Sequence, residues 1–146
     1  AVDVSEFAVE CARENAARNG LSQVVDCMAA NVFDLLPQLQ KGQYDFIILD
    51  PPAFTKSRQT TQRAMAGYKE INYRAMRLLP RGGYLATCSC SHFATEELFR
   101  KMLHAAAHDA GVQLRQIEAR QQSADHPILW GVEETSYLKF YLFQVV

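Results

Sequence analysis

No stretch of this 146-residue chain approaches the roughly 20 consecutive apolar residues of a membrane-spanning helix, and no signal peptide opens it. Cysteine is sparse. Cys11, Cys27, Cys88 and Cys90 fall short of the density of a disulfide scaffold, which points to a reduced, cytoplasmic setting. Net charge is nearly absent at −1, and together with 49% apolar residues this excludes a disordered chain. Repeats, low-complexity segments and internal boundaries are also missing, so residues 1–146 read as one domain. An initiating Met is lacking, and Ala1-Val2-Asp3-Val4 already reads as a strand, so the chain is expected to be a piece of something longer.

The small net charge conceals an uneven distribution. Residues 1–50 are acidic, whereas 51–95 carry Lys56, Arg58, Arg63, Lys69, Arg74, Arg77 and Arg81 against the single acid Glu70. A basic middle third on a near-neutral chain is either a footprint for a polyanion or a helix with a solvated cationic face.

Strands and helices alternate. Asp3-Val4-Ser5 closes a short strand, with Ser5 as N-cap of a helix through Phe7, Ala8, Cys11, Ala12 and Ala16 that Asn19-Gly20 stops. Val24–Ala30 reads as a second strand and Asp34–Gln40 as a short helix. Tyr44–Asp50 has the compact apolar character of a central parallel strand buried on both faces. Tyr68, Ile71, Ala75 and Leu78 line one face of a helix ended by Pro80 and Gly82-Gly83, and Tyr84–Cys90 is the next strand. Leu98, Phe99, Met102, Leu103, Ala106 and Ala110 mark a long helix closed by Gly111. The last strands, Val112–Arg120 and Tyr137–Val145, have no helix between them and so should be antiparallel neighbours. The pattern predicts an α/β fold with a doubly wound, mostly parallel sheet ending in an antiparallel hairpin.

In such sheets, ligands bind beyond the carboxyl ends of the strands. Three of these ends carry polar residues: Asp3, Asp50-Pro51-Pro52 and Thr87-Cys88-Ser89-Cys90-Ser91. A strand-end acid such as Asp3 can accept hydrogen bonds from ribose hydroxyls or cap a helix. Two successive prolines fix φ and remove two donors, which gives a stiff loop or simply a rigid turn. Cys-Ser-Cys is a pair of buried structural cysteines, a metal site or a nucleophile. His92 alone does not complete a metal ligand set, so no metal is expected, and a cationic loop nearby would favour thiolate.

These segments, in this order, together with Asn15, Asn19-Gly20-Leu21, Asn31-Val32-Phe33, Asp125-His126-Pro127 and Tyr137-Leu138-Lys139, resemble class I S-adenosylmethionine-dependent methyltransferases. The closer resemblance is to the bacterial 23S rRNA 5-methylcytosine methyltransferases of the large-subunit I type, along essentially the whole chain. The resemblance implies a Rossmann-like sheet, S-adenosyl-L-methionine as cofactor and RNA, specifically 23S rRNA, as partner. It places the cofactor at Asp3 (ribose), Ser5, Asn31 (adenine amine), Val32 and Phe33, with Asp50 and the Pro51 carbonyl meeting the target base. Asn31 stands where the family often has Asp. Cys90, within Ser-Cys-Ser, would be the nucleophile, with Cys88 as the competing candidate. Alternation along a strand through Cys90 puts both thiols on one face and does not separate them. Lys56, Arg58 and Arg63, next to Asp50-Pro51-Pro52, would contact RNA phosphates, leaving Arg74, Arg77 and Arg81 as surface charges.

The family's first strand and glycine-rich loop are expected upstream of Ala1. The fragment alone is therefore expected to bind cofactor weakly and to be inactive, and its unpaired edges to aggregate or pair into a homodimer. Three other readings compete. An N-methyltransferase acting on an exocyclic amine would use the acid-Pro-Pro loop, but usually with an aromatic where Ala53 stands. The others are a nicotinamide-dependent oxidoreductase on a similar sheet and a catalytically inactive RNA-binding module.

Overall fold

The computed structural model describes residues 1–54 and 58–146, with the side chain of Arg58 also left undescribed. It divides into two compact units, Ala1–Leu39 and Gln40–Val146. In the first, β1 (Val2–Asp3) pairs in parallel with β2 (Met28–Ala29), and α1 (Glu6–Arg18) runs between them. Ser5 caps α1 as the sequence predicts, its Oγ accepting from the Ala8 amide at 3.2 Å. The second predicted strand is much shorter than Val24–Ala30. After Gly20 the chain turns, and the Leu21 carbonyl accepts from both Val24 and Val25 amides at 2.9 Å, so these residues are withheld from the ladder. The next helix also starts earlier than predicted. Asn31 caps α2 (Val32–Leu35) by accepting from the Phe33 amide at 3.0 Å, and a 3₁₀ turn, Leu36–Gln38, follows.

The second unit is a four-stranded sheet in the order β3-β4-β6-β5: β3 (Phe46–Leu49), β4 (Tyr84–Ser89), β5 (Leu114–Arg120) and β6 (Lys139–Val145). β3 and β4 are parallel, whereas β6 runs antiparallel to both β4 and β5, so the expected terminal hairpin is present with β6 on the inner side. β3 is not buried on both faces. Among the described residues it pairs only with β4, and Phe46 and Ile48 are 48% and 68% exposed. β4 ends at Ser89, one residue before the predicted end, and this takes Cys90 out of the ladder.

Two helices cover one face. In α3 (Thr61–Leu78), Tyr68, Ile71, Ala75 and Leu78 are buried as the spacing predicts. Leu79 leaves the helix with ψ 138°, the extended geometry that a following proline imposes. In α4 (Glu96–Ala110) the buried residues are Phe99, Met102, Leu103 and Ala106, with Leu98 turned outward. Thr95 caps its start, and Gly111 ends it in the left-handed region at φ 68°. Gly83 is required for another reason: a Cβ there would meet the carbonyls of Pro80 and Asp45 at 3.0 and 3.2 Å. Among the described residues no helix is long and apolar enough to cross a membrane.

The centre of this core is aromatic. Tyr68 meets Phe99 edge-on at 5.8 Å, and Phe99 stacks on Tyr141 at 6.3 Å. Replacing Phe99 with Ala is expected to cost about 3–5 kcal/mol, read as a fall in the urea midpoint at unchanged slope.

Candidate active site

β3 and β4 are parallel neighbours, so their carboxyl ends lie side by side, and both run into polar segments. Asp50 follows β3 and is exposed; Cys88 and Ser89 end β4, and Cys90 and Ser91 follow. The thiol of Cys88 donates to Asp50 Oδ1 at 3.1 Å and lies 3.4 Å from the Leu49 carbonyl. Burial and this carboxylate together push the Cys88 thiol up to about 12, so it stays protonated. Cys90 is different: it is exposed. The expectation that alternation leaves the two thiols equivalent fails because the strand stops between them.

The residue that ties the two strand ends together is Tyr68 of α3, which the sequence offered only as a member of an apolar face. It is fully buried, and its hydroxyl accepts from Ser89 Oγ at 3.0 Å and from the Phe54 amide at 3.5 Å. It also donates to the Pro52 carbonyl at 3.4 Å, and the Phe54 ring packs on it at 4.6 Å. Desolvation holds the phenol above its ordinary range, so it acts as a neutral hydrogen-bonding hub. A buried Tyr needs a partner for its hydroxyl, which is the signal in the sequence that could have singled it out.

Lys139 was also missed except as part of a tripeptide. It opens β6 opposite Ser89 and is only 7% exposed, and its ammonium donates to the Ser91 and Tyr137 carbonyls at 2.6 and 2.7 Å. Burial pulls it down from 10.5 to about 8, against the pull of Cys90 and Glu96.

Of the basic candidates, Arg63 is exposed on the first turn of α3. Lys56 and the side chain of Arg58 lie outside the described residues. Arg74 is paired with Glu70 at 2.7 Å, and Arg77 donates to the Tyr73 hydroxyl at 3.0 Å, so both are engaged on the helix surface. Among the described residues no group of three or more His, Cys, Asp or Glu side chains is arranged to hold a metal.

In the first unit, Asp3 ends β1 and accepts from the Ser5 amide through Oδ1 at 2.8 Å. Asn31 follows β2 and is exposed, with Phe33 39% exposed and Val32 half-buried beside it. A carboxylate at a strand end with a second oxygen, and a side-chain amide near an aromatic ring, match the donor and acceptor needs of a ribose and an adenine.

The family model of the methyltransferase small domain matches residues 1–113. The chain belongs to that family. It is 39% identical over 148 residues to ribosomal RNA large subunit methyltransferase I of Klebsiella pneumoniae (strain 342), covering 99% of this chain and 37% of the relative. The protein of the same name from Shewanella amazonensis is 45% identical over 141 residues, with 94% and 36% covered. The chain thus spans a little over a third of the length of these relatives. A SAM-dependent methyltransferase from Streptococcus mutans superposes with a TM-score of 0.76 over 99% of this chain and 37% of that one. At 20% identity this likeness carries the α/β methyltransferase fold alone.

The depressed lysine has a thermodynamic consequence. Between pH 8 and 10.5 the unfolded chain holds a proton that the folded chain has released, so the folded form gains as pH rises through that window. Relative to Lys139→Met, the wild type should gain up to about 3 kcal/mol across it, measured by urea unfolding at a series of pH values.

Proposed function

We propose that the protein is an S-adenosylmethionine-dependent RNA methyltransferase that acts on large-subunit rRNA and methylates carbon 5 of a cytosine through an adduct with Cys90. The observation that carries this reading is the contrast between the two cysteines. Cys90 stands exposed at the carboxyl edge of the sheet, and Cys88 beside it is sealed against Asp50. The relatives named as rRNA large subunit methyltransferase I support the substrate class.

When bound, the cofactor supplies an electrophilic methyl group on a sulfonium. Asp3 would take its ribose hydroxyls and Asn31 its adenine amine, with Ser5, Val32 and Phe33 alongside. Asp50 and the Pro51 carbonyl bind the target base. A carboxylate has about four lone-pair sites, so Asp50 can hold the exocyclic amine of cytosine while still accepting the Cys88 thiol. Carbon 5 of cytosine is too poor a nucleophile to take a methyl group unaided. The Cys90 thiolate adds to carbon 6, forming a carbon–sulfur bond and opening the 5,6 double bond, so that carbon 5 becomes nucleophilic enough to take the methyl group that the cofactor would supply, its sulfonium leaving as a neutral thioether. Loss of the carbon 5 proton, with Asp50 assisting, expels the thiolate and restores the ring. Lys56, Arg58 and Arg63 contact phosphates and set the RNA in place.

The loop favours this chemistry over methylation of an exocyclic amine. Ala53 follows the second proline, and the next aromatic, Phe54, commits its ring to Tyr68 rather than to a base.

In the complete protein, Cys90→Ala should abolish methylation and the covalent complex with 5-fluorocytosine RNA, whereas Cys88→Ala leaves both measurable. The reverse pattern transfers the role to Cys88, and activity in the double variant eliminates the adduct. Neutralising Lys56, Arg58 and Arg63 should lower the slope of log affinity against log salt by roughly 0.7 to 0.9 per contact. An unchanged slope returns these residues to a solvated face.

A further inference from the structure

β6 alternates, and its buried side is Lys139, Tyr141, Phe143 and Val145. A lysine therefore occupies a position where the pattern calls for an apolar side chain. A buried ammonium is costly, and an apolar residue of similar length would complete the face without that cost. The surroundings show what the charge does there. Opposite Lys139 in the register is Ser89, and the residues that follow are Cys90 and Ser91. Both serines are buried and Cys90 between them is exposed.

Ser91 is held at both of its backbone groups. Its amide donates to Ser89 Oγ at 3.3 Å, and its carbonyl receives the Lys139 ammonium at 2.6 Å. The second bond of the ammonium, to the Tyr137 carbonyl, fixes its own position on the incoming strand. Ser89 Oγ in turn donates to Tyr68, so the backbone on either side of Cys90 is fastened to a helix and to a neighbouring strand.

Cys90 and Glu96 act on Lys139, and Arg120 and Tyr141 line the same cavity as the lysine, with Tyr141 donating to Glu96 at 2.8 Å. Cys90 interacts electrostatically with Tyr68 and Cys88, both neutral, and with Lys139. Lys139 is a cation among the described groups that interact with Cys90.

We propose that Lys139 is a positioning residue for methyl transfer: its buried ammonium pins the Ser91 carbonyl and holds Cys90 outward at the strand end. This rests on the reading of Cys90 as the nucleophile. The ammonium does not touch the base. It acts through the cysteine turn.

The test uses the complete protein and residue-resolved mass mapping of iodoacetamide alkylation across pH. In Lys139→Met the Ser91 carbonyl loses its partner and the turn no longer holds the thiol outward, so alkylation of Cys90 should slow about tenfold at neutral pH. Lys139→Arg, which keeps the charge, should restore most of the rate. In parallel, the methionine variant should lose kcat while KM for RNA stays within about twofold, since an unaltered KM marks an effect outside substrate binding. If the methionine variant does not fold, Lys139→Gln, whose shorter side chain does not reach the Ser91 carbonyl, gives the same reading. A Cys90 alkylation rate equal to that of the wild type in the folded neutral variant overturns the proposal while leaving Cys90 as nucleophile. Undiminished methylation by Cys90→Ala removes the nucleophile itself, whatever the alkylation profile shows.

Discussion

The hydroxyl of Tyr68 is the constraint on which the arrangement at the strand ends depends. It lies in the interior between α3 and the sheet and reaches one side chain of β4 and two backbone groups of the loop after β3. The loop's prolines supply stiffness but no donors, so they are anchored only through their carbonyls. One buried phenol supplies the anchorage, accepting from Ser89 and Phe54 while donating to Pro52. The pairing matters because Tyr68 and Ser89 are fully withdrawn from water, where an unmet donor or acceptor would cost about 1–3 kcal/mol.

The same edge of the sheet separates two cysteines that are chemically identical in sequence. The ladder between β4 and β6 runs to the Ser89–Lys139 pair and no further. Cys88 stays within it, fixed to Asp50 and kept protonated, and Cys90 leaves it for solvent. The exposure of each thiol is thus set by where hydrogen bonding stops rather than by the residues flanking it.

The long helices and the terminal hairpin were legible in the sequence because their signals are collective. Tyr68, Ile71, Ala75 and Leu78, or Phe99, Met102, Leu103 and Ala106, repeat often enough to define a face, and the missing helix before β6 dictated an antiparallel pair. The short elements after α1 were less legible. Val24 and Val25 have the composition of a strand, but the Leu21 carbonyl captures both amides in a turn. Asn31 moves a helix start by capping, which depends on a single side chain. At the candidate site the strand-end acid and cysteines stood out by residue type. Tyr68 and Lys139 did not, since one blended into an apolar periodicity and the other broke one at a strand's first residue, where a break attracts no notice.

The aromatic contacts form a continuous series: Phe54 on Tyr68, Tyr68 on Phe99, Phe99 on Tyr141 and Tyr141 on Phe143. Rings in such a series cannot change volume independently, because each fills space bounded by the next. Over evolutionary time, substitutions at these five positions are expected to arrive in compensating sets. A family alignment would then show the loop after Asp50 drifting together with β6, two segments nearly ninety residues apart in sequence.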